Sequence, residues 1–338
     1  MDRRDPIQTA AADLDLQDVA EWEPRSRLDR LAVIVYHVLL ALARSTLVVV
    51  ALLILLAQIV LGSLGAVSNP AIGALTVLSA VPAFALAAYV WRADVTTGEP
   101  LGLLIATFLL GVLFAGFAGI VNSVLQPVFV GTAAIVGVPI LGMVAMYFVV
   151  VGPVEEGVKL LAVRLHAFRD ARFDAVVDGA VYGAAAGLGF ATIENTIYIT
   201  AQMTPADGVQ ALAVGGGIAT VRALAGPGHV IYSAIAGYYL GLAKFNQAAA
   251  GPIVVKGLLL AAVAHGGYNA ILTVVPINDL APAVGVTPFA LLVGFVVVYD
   301  GLLFSFLLGK LHAYRRAYLA TRPDTQRPPE PQLTEFDP

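Results

Sequence analysis

Between Ser45 and Lys310 the chain is a succession of apolar runs, to be read against the roughly 20 residues that a helix needs to cross a bilayer. About eight runs qualify, at 45–67, 71–91, 101–122, 139–163, 179–201, 225–243, 253–275 and 288–309. The predicted fold is therefore all-α, a polytopic transmembrane helical bundle. The interval 209–243 is longer than one span, and Gly226-Pro227-Gly228 interrupts it. Residues 209–222 are accordingly expected as an extra re-entrant or interfacial helix. Ahead of the first run, Leu28, Leu31, Val35, Val38 and Leu42 recur at helical spacing, with Arg27, Arg30, His37 and Arg44 among them. That pattern suits either an amphipathic helix on the inner bilayer surface or a solvated linker helix.

The organisation that follows is a cytosolic N-terminal segment 1–44, a transmembrane domain 45–312 and a polar, Pro-rich, disordered tail 313–338. The first 44 residues hold eight acids and six arginines, and no apolar core followed by a small-residue cleavage site marks a signal peptide. Lys and Arg crowd alternate connections: the N-terminal segment, Arg92, the 164–178 loop, Lys244 with Lys256, and the C-terminal end. The intervening connections near 67–71, 122–137, 201–208 and 276–287 have none. The expected location is the cell membrane, multi-pass, with both termini cytosolic.

Composition sharpens this. Of 338 residues, 59% are apolar and 12% charged, about half the usual charged fraction of a soluble domain. With a net charge of -4 and no basic cluster, no nucleic-acid partner is expected. The absence of cysteine removes disulfides, thiolate metal ligands and a cysteine nucleophile. Carboxylate, imidazole, hydroxyl and amide groups remain to carry any chemistry.

Ionisable groups at membrane depth are expensive to keep and so mark function. Here they are Glu155, Glu156, Lys159, Glu194, His229, His265 and Asp300. Counted from the nearest cytosolic charge at about 1.5 Å per residue, Glu155, Glu194, His229 and His265 all lie roughly 14–24 Å from the inner face. Four helices thus bring an acid or an imidazole to one level. In Glu155-Glu156-Gly157-Val158-Lys159 the ammonium projects between the two carboxylates as the i+4 and i+3 neighbour and holds at least one of them charged. Phe190 with Glu194, and His265 with Asn269, share helix faces at i, i+4. Two cations, Lys159 and Arg222, fall outside the loop pattern, and each needs a partner or a wet cavity. With Asn195 they are the expected supporting residues. For Asp300, pairing with Arg222 and a cavity-lining position are both open.

A carboxylate and two imidazoles shielded from bulk water are equipment for hydrolysis. The carboxylate takes a proton from water, while imidazole or a bound cation stabilises the oxyanion. The His-Glu-x-x-His helix of zinc proteases is absent. A metal, if used, needs ligands from separate helices, with Glu194, His229 and His265 the natural set. The competing readings are a proton- or cation-coupled transporter or channel using the same buried groups, and an inert membrane scaffold. Against the transporter, no internal repeat relates the two halves of the chain.

In order along the fourth to seventh spans, the chain carries Glu155-Glu156-x-x-Lys159, Phe190-x-x-x-Glu194-Asn195, Gly228-His229 leading into a Gly- and Tyr-rich span, and His265-x-x-x-Asn269. These motifs, within a core at 139–275, resemble the PrsW family of intramembrane proteases, related to the CAAX-processing and bacteriocin-immunity-type membrane proteases. The resemblance implies a helical membrane fold around a proteolytic cavity. It also implies cleavage of peptide bonds in membrane-associated protein substrates, of which anti-sigma factors are the known type. Glu155 would then be the water-activating base, Glu156 its partner, His229 and His265 the oxyanion or metal residues, and Asn269 their support. Both a Zn2+ site and a metal-free glutamate–histidine mechanism suit this set. The expected partners are the substrate and the lipid bilayer, and the sequence sets no oligomeric state.

Overall fold

A computed structural model describes residues 24–320 except 97 and 204–207. Among the described residues there are helices and no strands. In chain order the main elements are α1 (Arg27–Val60), α2 (Pro70–Arg92), α3 (Leu101–Ile135), α4 (Pro139–Met146) and α5 (Gly152–Leu165), followed by α6 (Val176–Met203), α7 (Gly208–Lys244), α8 (Ala250–Val274), the short α9 (Ile277–Ala283) and α10 (Pro288–Ala320). Helix starts follow local chemistry. Ser26 and Asp29 form a reciprocal capping box on α1, and Asn69 caps α2 just before Pro70, where a missing N–H does no harm.

Seven helical segments are long and apolar enough to cross a membrane among the described residues, and they make the chain a multi-pass membrane protein. The expected eighth, 225–243, lies in α7, which is helical but less apolar. The reason is its position. From Gly226 to Ala243 most side chains of α7 are buried against protein, so Gly, Ser, Tyr and His replace the Leu and Val that a lipid-facing helix carries. The break expected at Gly226-Pro227-Gly228 does not occur, because α7 runs through Pro227 as one helix of 37 residues. A proline deletes a single backbone bond, and packing on both sides outweighs it. The re-entrant helix expected at 209–222 is instead the first half of α7, and α9 is the short extra helix. The pattern beginning at Leu28 likewise continues unbroken through Arg44 into the first apolar run. At 34 residues α1 is about 51 Å long, more than the roughly 30 Å apolar core of a bilayer. The segment before residue 24 and the tail beyond 320 lie outside the described residues.

α6 is the axis of the bundle. Within its most apolar stretch 83% of residues are buried, against 6% for α1, which presents Leu39, Leu53 and Leu56 outward as a lipid-facing helix should. The α6–α7 contact rests on small residues. A methyl group on Gly183 would collide with the Ser233 carbonyl, and one on Gly187 with the His229 carbonyl. Only hydrogen fits there, and this close approach, typical of membrane helices, brings the α7 polar groups against α5 and α6.

The fourth span is composite. α4 passes into one π turn, Tyr147–Val151, before α5 begins at Gly152-Pro153. The Gly152 N–H donates to the Tyr147 carbonyl, one residue further back than in an α-helix. This wider turn accommodates Pro153, which has no N–H to continue the regular ladder. Glu155 follows two residues later.

Candidate active site

The two adjacent acids of α5 point to different places. Glu156 is buried completely and accepts three hydrogen bonds. Lys159 Nζ donates to its Oε1 at 2.7 Å, His265 Nδ1 to the same oxygen at 2.9 Å, and Ser233 Oγ to Oε2 at 3.0 Å. Glu155 faces the cavity. Its Oε1 accepts from Asn122 Nδ2 at 2.9 Å, while Oε2 is buried with no hydrogen-bond partner, 3.5 Å from His265 Nε2.

Proton positions follow from these partners. Since Glu156 occupies Nδ1 of His265 as an acceptor, that nitrogen carries the ring proton, and the bare lone pair on Nε2 faces the unpartnered oxygen of Glu155. His229 is set the other way. Lys159 Nζ, which as an ammonium has only donors, lies 2.9 Å from His229 Nδ1. The His229 proton is thereby placed on Nε2, which lies 2.8 Å from Glu194 Oε2. The two imidazoles meet edge to face, with centroids 5.0 Å apart.

Phe190 explains its place one turn before Glu194. Its ring stacks on His229 at 5.5 Å and lies under Lys159 Nζ at 4.2 Å, so it fixes both cation and imidazole. Arg222 NH2 donates to Glu194 Oε2 at 2.6 Å, and its Nε donates to Asn195 Oδ1 at 2.8 Å. Asn195 in turn donates to Ser79 Oγ of α2 at 3.0 Å. The partner that Arg222 was expected to need is thus the Glu194 carboxylate, with the Asn195 amide beside it. Asp300 does not pair with Arg222; its Oδ1 accepts the Tyr232 hydroxyl at 2.7 Å.

These groups border a cavity of about 380 Å³ that is lined by Glu155, Glu194, Arg222, His229, His265 and Asn269, together with Asn122, Tyr147, Tyr198 and Tyr232. Glu155, His229 and His265 each bring a possible metal-ligand atom, all within 4.8 Å of one another. Glu194, expected in that trio, stands outside it because Arg222 holds its carboxylate. Asn122 went unrecognised in the sequence because it fell at the expected end of a span, whereas α3 continues to Ile135 and puts it mid-helix. An amide inside an apolar run was the available signal.

Fold and site together define a class: a multi-pass membrane protein whose central helices close a cavity around carboxylates and imidazoles. Residues 99–302 match the family described as PrsW family intramembrane metalloprotease, well over half of the chain, and the chain belongs to the PrsW family. It is 33% identical over 199 residues to Protease PrsW of Bacillus subtilis (strain 168), covering 57% of this chain and 79% of that protein. It is 30% identical over 228 residues to Protease PrsW of Oceanobacillus iheyensis, covering 67% and 94%, and 32% identical over 189 residues to that of Geobacillus kaustophilus, covering 56% and 75%. No solved structure matches the chain. The function is that of a membrane protease, a hydrolase, and the transporter reading is not favoured.

Proposed function

We propose that the chain cleaves peptide bonds of membrane-spanning protein substrates in this cavity, with Glu155 as the residue that takes the proton of the attacking water. The observation that carries this reading is the approach of Glu155 Oε2 and His265 Nε2 to 3.5 Å, with the glutamate oxygen otherwise unpartnered and buried. A water shared between them donates one hydrogen to the imidazole lone pair and the other to the carboxylate, which is the geometry of general-base activation. Asn122 holds Glu155 by its other oxygen, and Glu156 holds the His265 ring by Nδ1. The oxyanion donor is His229 Nε2–H, which exchanges its hydrogen bond to Glu194 for the substrate oxygen, with Lys159 fixing its tautomer and Asn269 on the cavity wall beside His265 as a further polar support.

The same residues fit a zinc ion. Two imidazoles and one carboxylate from separate helices form a three-ligand set that leaves a position open, and the unpartnered Glu155 Oε2 has the character of a ligand atom. Glu155, His229 and His265 would hold the ion, which when bound supplies Lewis acidity toward water and the scissile carbonyl. For His229 to bind through Nε2, the ring would take its other tautomer, Nδ1 receiving a proton from Lys159 Nζ at 2.9 Å as Nε2 passes its own to Glu194 at 2.8 Å.

The distribution of Lys and Arg supports a chain with both termini in the cytosol. An anti-sigma-like membrane regulator is the substrate type that family resemblance suggests. The deciding experiment is cleavage of a reporter membrane substrate by wild type and Glu155→Gln, with metal content measured on both proteins. Cleavage at the wild-type rate by Glu155→Gln sinks the assignment. Stoichiometric zinc that disappears in His265→Ala selects the metal mechanism over the metal-free one.

A further inference from the structure

The opposite end of α6 gathers acids that proteolysis does not use. Asp178 stands in the first turn of α6, and the connection between α2 and α3 folds against it with Asp94 and Glu99. One oxygen from each of the three carboxylates lies within 4.8 Å of the others. Asp178 and Glu99 are buried, Glu99 with 4% of its surface exposed, and Asp94 is half-buried.

Their hydrogen bonds come from uncharged donors. The Tyr182 hydroxyl donates to Glu99 Oε2. Thr96 Oγ1 donates to Asp94 Oδ1 at 2.8 Å, and the N–H groups of Asp174 and Ala175 donate to Asp178 Oδ2 at 2.7 and 2.8 Å. Glu99 Oε1 and Asp94 Oδ2 are buried and accept nothing. The nearby cations are committed elsewhere: Lys244 Nζ to the carbonyls of Phe168 and Phe173, and Arg172 to Asp170.

Acids crowded in this way need either shared protons or a cation. The donor set favours a cation of a definite kind. It is all oxygen, carries three carboxylates and contains neither imidazole nor thiolate, which selects hard ions over zinc. Oxygens around a calcium ion at about 2.4 Å lie at most about 4.8 Å apart, and the three carboxylate oxygens lie within that limit of one another.

We propose that Asp94, Glu99 and Asp178 bind one hard divalent cation, calcium or magnesium, which clips the α2–α3 connection to the first turn of α6. The site is separate from the proteolytic cavity, since Glu194 follows Asp178 by sixteen residues on the same helix, about 24 Å away. Its effect is on the seating of α6 in the bundle and not on the chemistry at the far end.

The test uses the full chain purified in detergent and stripped with a chelator, with Ca2+ and Mg2+ titrated separately by calorimetry and the thermal unfolding temperature followed in parallel. Wild type is expected to bind one equivalent of at least one of the two ions and to unfold at a higher temperature when loaded. Asp94→Asn, on a half-exposed connection where folding is least disturbed, is expected to weaken binding at least tenfold. Glu155→Gln is expected to leave binding unchanged. Three results overturn the proposal: no binding of either ion by wild type up to about 1 mM, binding that survives both Asp94→Asn and Glu99→Gln, or binding lost in Glu155→Gln.

Discussion

α6 carries carboxylates near both ends, and the two groups are neutralised in opposite ways. At the cavity, Glu194 joins Glu155 and Glu156, and the counter-charges are built into the chain as Lys159 and Arg222. At the other end, Asp178 joins Glu99 and Asp94, and the donors are hydroxyls and backbone amides. Position explains the difference. A buried acid in the apolar layer has no solution to draw ions from, and removing its partner is ruinous. An acid cluster at the end of a helix borders water and can recruit a cation from it. Burial of acids alone therefore does not mark a catalytic centre, and the origin of the compensating charge tells the two ends apart.

The comparison breaks most visibly at Glu155. Glu155→Gln keeps the shape and the Asn122 contact but removes the base, and cleavage should fall by about 10²–10⁴-fold with little change in unfolding temperature. Next is Lys159→Met, which strands the fully buried Glu156 without its cation. A stability loss of about 3–5 kcal/mol is expected, read as a lowered unfolding temperature in detergent, and an unchanged value would show that Glu156 needs no counter-charge. Asn122→Ala removes one donor to Glu155 and should slow cleavage by about 40-fold, a mid-range value for a hydrogen bond to a charged group. The smallest effect has the opposite sign. With divalent ions chelated, Asp94→Asn should stabilise the chain by up to about 1 kcal/mol, because it relieves like-charge repulsion at a partly exposed position. Destabilisation there would mean that the acidic end, too, carries a built-in partner.

The cavity end was legible in the sequence because charge in an apolar run is costly enough to stand out. Glu155, Glu156, Lys159, Glu194, His229 and His265 were all visible on that ground, and the i, i+4 spacing put Phe190 and Glu194 on one helix face. The acidic end was not legible, since Asp94, Glu99 and Asp178 fall in or beside connections, where acids ordinarily meet water. Two further features were hidden by tertiary packing. Pro227 reads as a helix breaker, yet α7 passes through it because its neighbours hold the chain on both sides. The run 225–243 reads as one more lipid-facing span, yet its residues are mostly buried against protein. Glu194 could be placed level with the other buried groups, but the Arg222 contact on its carboxylate depends on how α6 and α7 are rotated against each other, which spacing along one helix does not specify.

The π turn at Tyr147–Val151 gives α5 a phase as well as a shape. One residue more than an α-turn needs is absorbed there, so everything after it is rotated by about 100° relative to an uninterrupted helix. Glu155 and Glu156 owe their headings, one to the cavity and one to Lys159 and His265, to that offset. Deleting a single residue such as Val149 would let a regular helix form and keep both carboxylates on their headings, whereas straightening the turn without a deletion would rotate both to the wrong side. The heading of the Glu155–Glu156 pair is thus set upstream of the pair itself, by a count of residues more than by their identity.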